Sequence, residues 1–236
     1  MKSIDPLKLH LGCGQKYLDG YVNIDYPQTE HTVMNVKADV YSDIRDLRYD
    51  AGTVDEVRCH HVLEHFSRAE ALKMLFMWRA WLKAGGVLHV ETPDFGACAA
   101  LYARAGLKQR MELGRHMLGS QEAPWAYHYD FWDKPKFKYV LKQLGFKDIK
   151  ILQYSNSFAQ RFNKVPFGNI IGRLIPDAIY RVVGGHKLPN IEVIARKADR
   201  SIDEREVAKT ILSLSLVGNE SEAMLDVWMA QLFDKT

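Results

Sequence analysis

The chain has 236 residues, enough to bury a full core as one domain or as one domain with an appendage. Hydrophobic content of 47% and charged content of 26% are ordinary for a soluble globular protein. A formal charge of +3 is too small to argue for nucleic acid as a partner.

Met1 to Pro6 has no signal-peptide core. Leu7 to Leu11 reads as a first strand and runs into Gly12-Cys13-Gly14; Tyr21 to Asp25 reads as a second and ends on an acid. That order suits a nucleoside cofactor, because the glycines admit a ligand to the backbone and the acid can accept both hydrogen bonds of a ribose diol. The spacing suggests S-adenosylmethionine. A dinucleotide fingerprint needs a third glycine where Tyr17 stands, and an acid ~20 residues further on, whereas Asp25 comes sooner. Gly12 to Gly20 is too short for an ordinary parallel crossover, so the first helix is expected to shrink to about one turn.

Val54 to Cys59 is a further strand, interrupted by Arg58. Ser67 and Glu70 form a capping box, and Leu72, Leu75, Phe76, Arg79 and Leu82 follow helical spacing up to Gly85-Gly86. Val87 to Val90 is a strand that Thr92-Pro93-Asp94 ends. Phe137 to Leu144 is helical and Gly145 stops it; the lysines from Lys134 to Lys150 are spread around that helix as a solvated face. Asp148 to Gln153 and Ile191 to Arg196 are the last strands. Such alternation predicts an open, mostly parallel sheet with helices on both faces, whose ligands bind beyond the carboxyl ends of the strands. Residues 155–190 are long for a strand connection and read as a helical insert, a lid or an apolar surface. Residues 198–236 read as two amphipathic helices, either packed on the core or forming a homodimer. Cys13, Cys59 and Cys98 show no zinc or disulfide pattern, which makes reduced thiols in the cytoplasm the expectation, and no apolar run reaches the ~20 residues that span a bilayer.

Taken in order, several motifs resemble those of the class I S-adenosylmethionine-dependent methyltransferases, within the type 11 group, over roughly residues 7–153. His10-Leu11-Gly12-Cys13-Gly14 looks like the group's first motif and Asp25 like its acid. Asp43-Ile44-Arg45-Asp46-Leu47 is similar to the adenine-holding segment, and Val54 to Val57 leading to His61-Val62-Leu63-Glu64-His65 resembles a signature of the group. Lys83 to Leu88 looks like its turn into strand five. The resemblance implies a Rossmann-like, doubly wound, seven-stranded sheet over residues 1–197 that binds S-adenosylmethionine. The cofactor residues would be Leu11, Gly12, Cys13, Gly14, Asp25, Asp43, Ile44, His60 and His61, with Asp46 as the alternative to Asp43.

Methyl transfer is an in-line displacement from a sulfonium, so alignment contributes most, and a hydroxyl acceptor also needs a base. Candidates are His128, His116 and His61, then Glu91 and Asp94; Tyr127, Tyr129 and Trp132 are candidates for the acceptor wall. The expected acceptor is a small molecule, a sugar or a similar hydroxylated compound. Two other readings stand beside this one: a non-catalytic cofactor-binding protein acting through its helical tail, and a zinc hydrolase using His61-x-x-Glu64-His65. The zinc pattern requires a helix through all five residues, whereas here it straddles a strand end, so Glu64 and His65 are expected to shape a helix start and no metal is assigned.

Overall fold

A computed structural model describes residues 5–155, 188–218, 220 and 222–234. Seven strands form one sheet: β1 (Lys8–Leu11), β2 (Val22–Asp25), β3 (Val40–Tyr41), β4 (Val54–His60), β5 (Leu82–Pro93), β6 (Phe146–Ser155) and β7 (Pro189–Lys197). Their order is β3-β2-β1-β4-β5-β7-β6. The first five are mutually parallel, and β7 runs antiparallel to both of its neighbours. The order reverses between β1 and β4, which makes the sheet doubly wound and opens a crevice there. The two-residue β3 is too short to carry a period of its own and is absent from the sequence reading. The expected insert lies outside the described residues, apart from its ends.

Strand alternation separates the two faces of the sheet. Leu9, Leu11, Ile24, Val57, Cys59, Leu88, Val90, Val193 and Ala195 belong to one buried core. That core is shared with α1 (Arg68–Trp81), α4 (Lys134–Gln143), α5 (Glu204–Ser213) and α6 (Glu222–Phe233). Ala208, Leu212, Leu225 and Leu232 are part of it, so the C-terminal helices complete the main core by packing on α1. The other α-helices of the described residues, α2 (Phe95–Tyr102) and α3 (Leu107–Leu118), share a small cluster of Cys98, Ala105 and Leu113. Among the described residues no helix is long and apolar enough to cross a membrane.

The opposite face is polar. His10 Nδ1 lies 3.1 Å from Asn23 Oδ1, Arg58 donates to His89 Nδ1 at 3.0 Å, and His89 Nε2 donates to Glu192 Oε1 at 2.7 Å. Arg58 therefore does not interrupt β4; it occupies the polar side of a continuous strand. Helices were expected on this face, but among the described residues the β1–β2, β2–β3 and β3–β4 connections contain no α-helix.

The β1–β2 link contains no helical turn at all, less than the single turn expected. The fully buried side chain of Asn23 takes over the tie: its amide donates to the Leu18 and Tyr21 carbonyls and its oxygen accepts from Leu18 N–H. A short crossover thus satisfies its backbone through one amide side chain.

Helix α1 starts as expected, with Ser67 and Glu70 forming a capping box. It ends at Trp81, however, and Gly85-Gly86 lie inside β5. Gly52 N–H and Thr53 N–H donate to the Ala80 and Trp81 carbonyls, so the preceding turn satisfies the helix end and Leu82 can enter the sheet opposite Val54.

Candidate functional site

A cavity of about 1410 Å³ opens beyond the carboxyl ends of β1, β2, β4 and β5. Gly12, Cys13, Gly14, Asp25, Asp43 and Ile44 line it, together with His60, His61, His116 and His128. Residues spread over more than a hundred positions of chain thus share one wall system. Leu11 is the exception, because its side chain is fully buried in the core. Asp46 is exposed and outside the cavity, which leaves Asp43 as the acid of that segment. Trp132 packs on Phe137 in the core and Tyr127 is outside, so from this loop Trp125 and Tyr129 line the cavity, which Tyr26, Phe66 and Tyr154 line as well.

The glycine turn needs its glycines. Gly12 has φ +64°, and a Cβ there would overlap Val62 Cγ2. Gly14 N–H donates to Asp25 Oδ2 at 2.6 Å, while Asp25 Oδ1 accepts from Tyr26 N–H at 2.7 Å and faces His31 Nε2 at 3.1 Å. His31 is a site residue that sequence reasoning missed; a lone histidine in an irregular loop offers no period or spacing. Its ring meets Trp125 edge-on at 5.3 Å, and Trp125 Nε1 donates to the Glu30 carbonyl at 2.9 Å, which fastens the 28–31 turn over the cavity.

Asp43 is clamped in place. Its carboxylate accepts from Arg45 Nε and from an Arg45 terminal nitrogen at 2.6 Å, and from the Tyr26 hydroxyl at 3.0 Å. Burial works against its charge, but the Arg45 and Tyr26 hydrogen bonds outweigh it and hold the carboxyl below its ordinary value. The adenine-holding role implied by resemblance would use the lone pairs these partners leave.

At the β4 end, His61 takes φ +53°, an uncommon conformation for a residue with a side chain. Its Nε2 lies 3.1 Å from Glu91 Oε1 and its Nδ1 lies 3.3 Å from Glu64 Oε1. Burial disfavours the imidazolium, yet the two carboxylates win and raise His61 to about 10. His61 is therefore charged near neutral pH and has no lone pair to act as a base. His60 Nδ1 meets the other Glu91 oxygen at 3.2 Å. Asp94, another base candidate, is spent as the N-cap of α2 and accepts from Gln153 as well. The helix through residues 61–65 required by the zinc-protease pattern is not formed: β4 ends at His60, His61 has positive φ, and Leu63–His65 is one 3₁₀ turn.

His128 reaches the site through backbone bonds. Tyr129 N–H donates to the Glu64 carbonyl at 2.9 Å, and His128 N–H donates to the Leu118 carbonyl at 3.1 Å. Burial lowers His128 to about 4 and also lowers His116, so both rings are neutral near pH 7. Gly119 sets this loop with φ +86° and ψ 172°, and a Cβ there would overlap the Ala126 carbonyl oxygen. Gly119→Ala is expected to cost ~3 kcal/mol in chemical denaturation, the upper end for a strained residue, because rigid backbone must shift. The same substitution should displace His128. An unchanged unfolding midpoint would show that the loop relaxes freely.

No family model and no curated protein matches this sequence. Solved structures with a similar fold include an S-adenosylmethionine-dependent methyltransferase from Archaeoglobus fulgidus, at 16% identity over 81% of this chain and 86% of that one, with a TM-score of 0.48. Another, from Methanosarcina mazei, shows 14% identity over 82% of this chain and 93% of that one, with a TM-score of 0.49. A third is phosphoethanolamine N-methyltransferase 2 of Haemonchus contortus, solved with S-adenosylmethionine, at 11% identity over 84% of this chain and 50% of that one, with a TM-score of 0.45. The seven-stranded mixed sheet with its flanking helices is the Rossmann-like, doubly wound fold expected from the sequence.

Proposed function

We propose that the protein transfers the methyl group of S-adenosylmethionine to a sugar or another small hydroxylated acceptor. The observation that carries this reading is the size of the cavity beyond the strand ends. At about 1410 Å³ it exceeds the roughly 300–1,000 Å³ typical of one small ligand, so a cofactor and an acceptor fit side by side. Gly12 and Gly14 would bring backbone to the methionine carboxylate, Asp25 would accept from the ribose hydroxyls, and Asp43 with Ile44 would hold adenine. His60 and His61 would lie beside the amino-acid end.

In the acceptor half, the hydroxyl oxygen attacks the methyl carbon, the carbon–sulfur bond breaks and its electron pair stays on sulfur. The hydroxyl proton passes to one of the two neutral imidazoles, His116 or His128. Charged His61 orients rather than accepts. Trp125 and Tyr129 offer the flat apolar area on which a sugar face packs.

The test is calorimetric titration of untagged protein with S-adenosylhomocysteine, followed by a transfer assay over a panel of hydroxylated sugars. Micromolar binding with transfer to oxygen is expected. Binding without transfer to any acceptor would favour a cofactor-binding protein that works through a partner, and absence of binding would remove the methyltransferase reading.

A further inference from the structure

The Glu64 carboxylate is the least satisfied charged group in the described residues around the cavity. Its side chain is 3% exposed, and neither oxygen has a hydrogen-bond partner. His61 Nδ1 approaches Oε1 at 3.3 Å without hydrogen-bond alignment, and His128 Nε2 stands 4.0 Å from the same oxygen. Charged His61 answers Oε1 from one side only, and Oε2 stays buried without a hydrogen-bond partner, which is costly unless a second cation answers it.

Two imidazoles next to it are prepared to do more than pair. His65 Nδ1 lies 3.0 Å from the Tyr127 carbonyl oxygen, and His128 Nδ1 lies 3.2 Å from that of Met117. A carbonyl only accepts, so Nδ1 of each ring carries a proton, and the neutral tautomer this selects presents a bare Nε2. Donation of the far nitrogen to a carbonyl is how metal-bound histidines are held in the right tautomer. The rings meet edge-on at 4.6 Å, and one donor atom from each of Glu64, His65 and His128 lies within 4.8 Å of the others. His65 and His128 both line the cavity.

We propose that Glu64, His65 and His128 form a binding site for one divalent transition-metal ion in the wall of this cavity. Two imidazoles and one carboxylate suit zinc, iron, cobalt or manganese, and three protein donors leave coordination positions open towards the cavity. Bonds of about 2.0–2.2 Å draw the three donors inward by roughly an ångström. The site differs from the zinc pattern read along the sequence: His61 is held between Glu64 and Glu91, and its place is taken by His128 from a distant loop. The second histidine–glutamate cluster, His60, His89 and Glu192, is already closed, because Arg58 donates to His89 Nδ1 and leaves the Nε2 proton to Glu192. Only the role of the ion rests on the methyltransferase reading. There, the open positions would take the acceptor oxygen, favour its deprotonated form and leave His116 to receive the proton.

Metal-stripped, untagged protein titrated with Co²⁺ is expected to bind one ion, with visible absorption bands of a low-coordinate cobalt site. Glu64→Gln and His128→Ala should each weaken binding at least ~10-fold, and His65→Ala combined with His128→Ala should abolish it. X-ray absorption on the wild-type cobalt form should show two imidazole shells, which keeps the test valid where a variant fails to fold. Wild-type protein that takes up no more Co²⁺ than the double variant, or a cobalt spectrum without imidazole shells, overturns the proposal. S-adenosylhomocysteine titrated with and without Co²⁺ separates the two readings: metal uptake without nucleoside binding leaves this site standing and removes the methyltransferase, and the converse removes only the metal.

Discussion

Asp25→Ala is expected to weaken S-adenosylhomocysteine binding about 100-fold. Hydrogen bonds to a charged group contribute about 1.5–3 kcal/mol each. Two bonds to the ribose diol therefore amount to at least ~3 kcal/mol, or two decades in Kd. The carboxylate also holds Gly14 N–H at 2.6 Å and faces His31 Nε2 at 3.1 Å, so its loss loosens the glycine turn as well. Asp25→Asn keeps one acceptor oxygen and should lose less. Calorimetry on both variants decides the matter, and equal affinity for wild type and Asp25→Ala would take Asp25 out of the cofactor site.

Glu91→Gln should cost ~3 kcal/mol of stability, the lower end for breaking a buried ion pair. Glu91 joins His60 Nδ1 at 3.2 Å and His61 Nε2 at 3.1 Å, with 11% of its side chain exposed. The lower end applies because the His61 side chain keeps 38% exposure, and water screens the charge left behind. The pH dependence follows from the two signs. His61 is raised to about 10, so its contribution is complete below its ordinary 6.5 and drains away as pH rises towards 10. Burial pushes the Glu91 carboxyl up, but His60, His61 and Tyr154 pull it far below its ordinary 4.5, so its contribution is present above 4.5 and is lost in acid. Wild-type stability should therefore be highest between about 4.5 and 6.5 from this network, with a fall on either side. In Glu91→Gln the alkaline fall should shrink, since His61 retains only Glu64. Urea unfolding across this range measures it, and identical profiles for the two proteins would show that the network carries no such energy.

Local patterns made most of the fold legible. Alternation in Leu9-His10-Leu11 and Val57-Arg58-Cys59 assigns each side chain to a face, and the capping box at Ser67 and Glu70 starts α1 where expected. The crowded turn at Gly12 and the acid ending β2 likewise announce the crevice. These signals are local because strand period, caps and positive-φ turns depend on neighbours within a few residues. The end of α1 was not legible, since the groups that satisfy it belong to the Gly52-Thr53 turn some thirty residues earlier in the chain. Nor was the role of Asn23 in replacing a helix, or the engagement of His31 with Asp25.

By itself, then, the sequence determined six of the seven strands, their alternating faces, the glycine turn and the candidate residues of the crevice. Tertiary structure alone decided how the histidines divide their work. His61 and His65 are four positions apart in the chain, yet they face different partners: one is held charged between Glu64 and Glu91, the other donates to Tyr127. What set them apart is a loop from the far side of β5, tied by Tyr129 N–H to the Glu64 carbonyl, which brings His128 beside the carboxylate. Spacing along a chain states which side chains are available; the charge and tautomer of each are set by the groups that burial places against it.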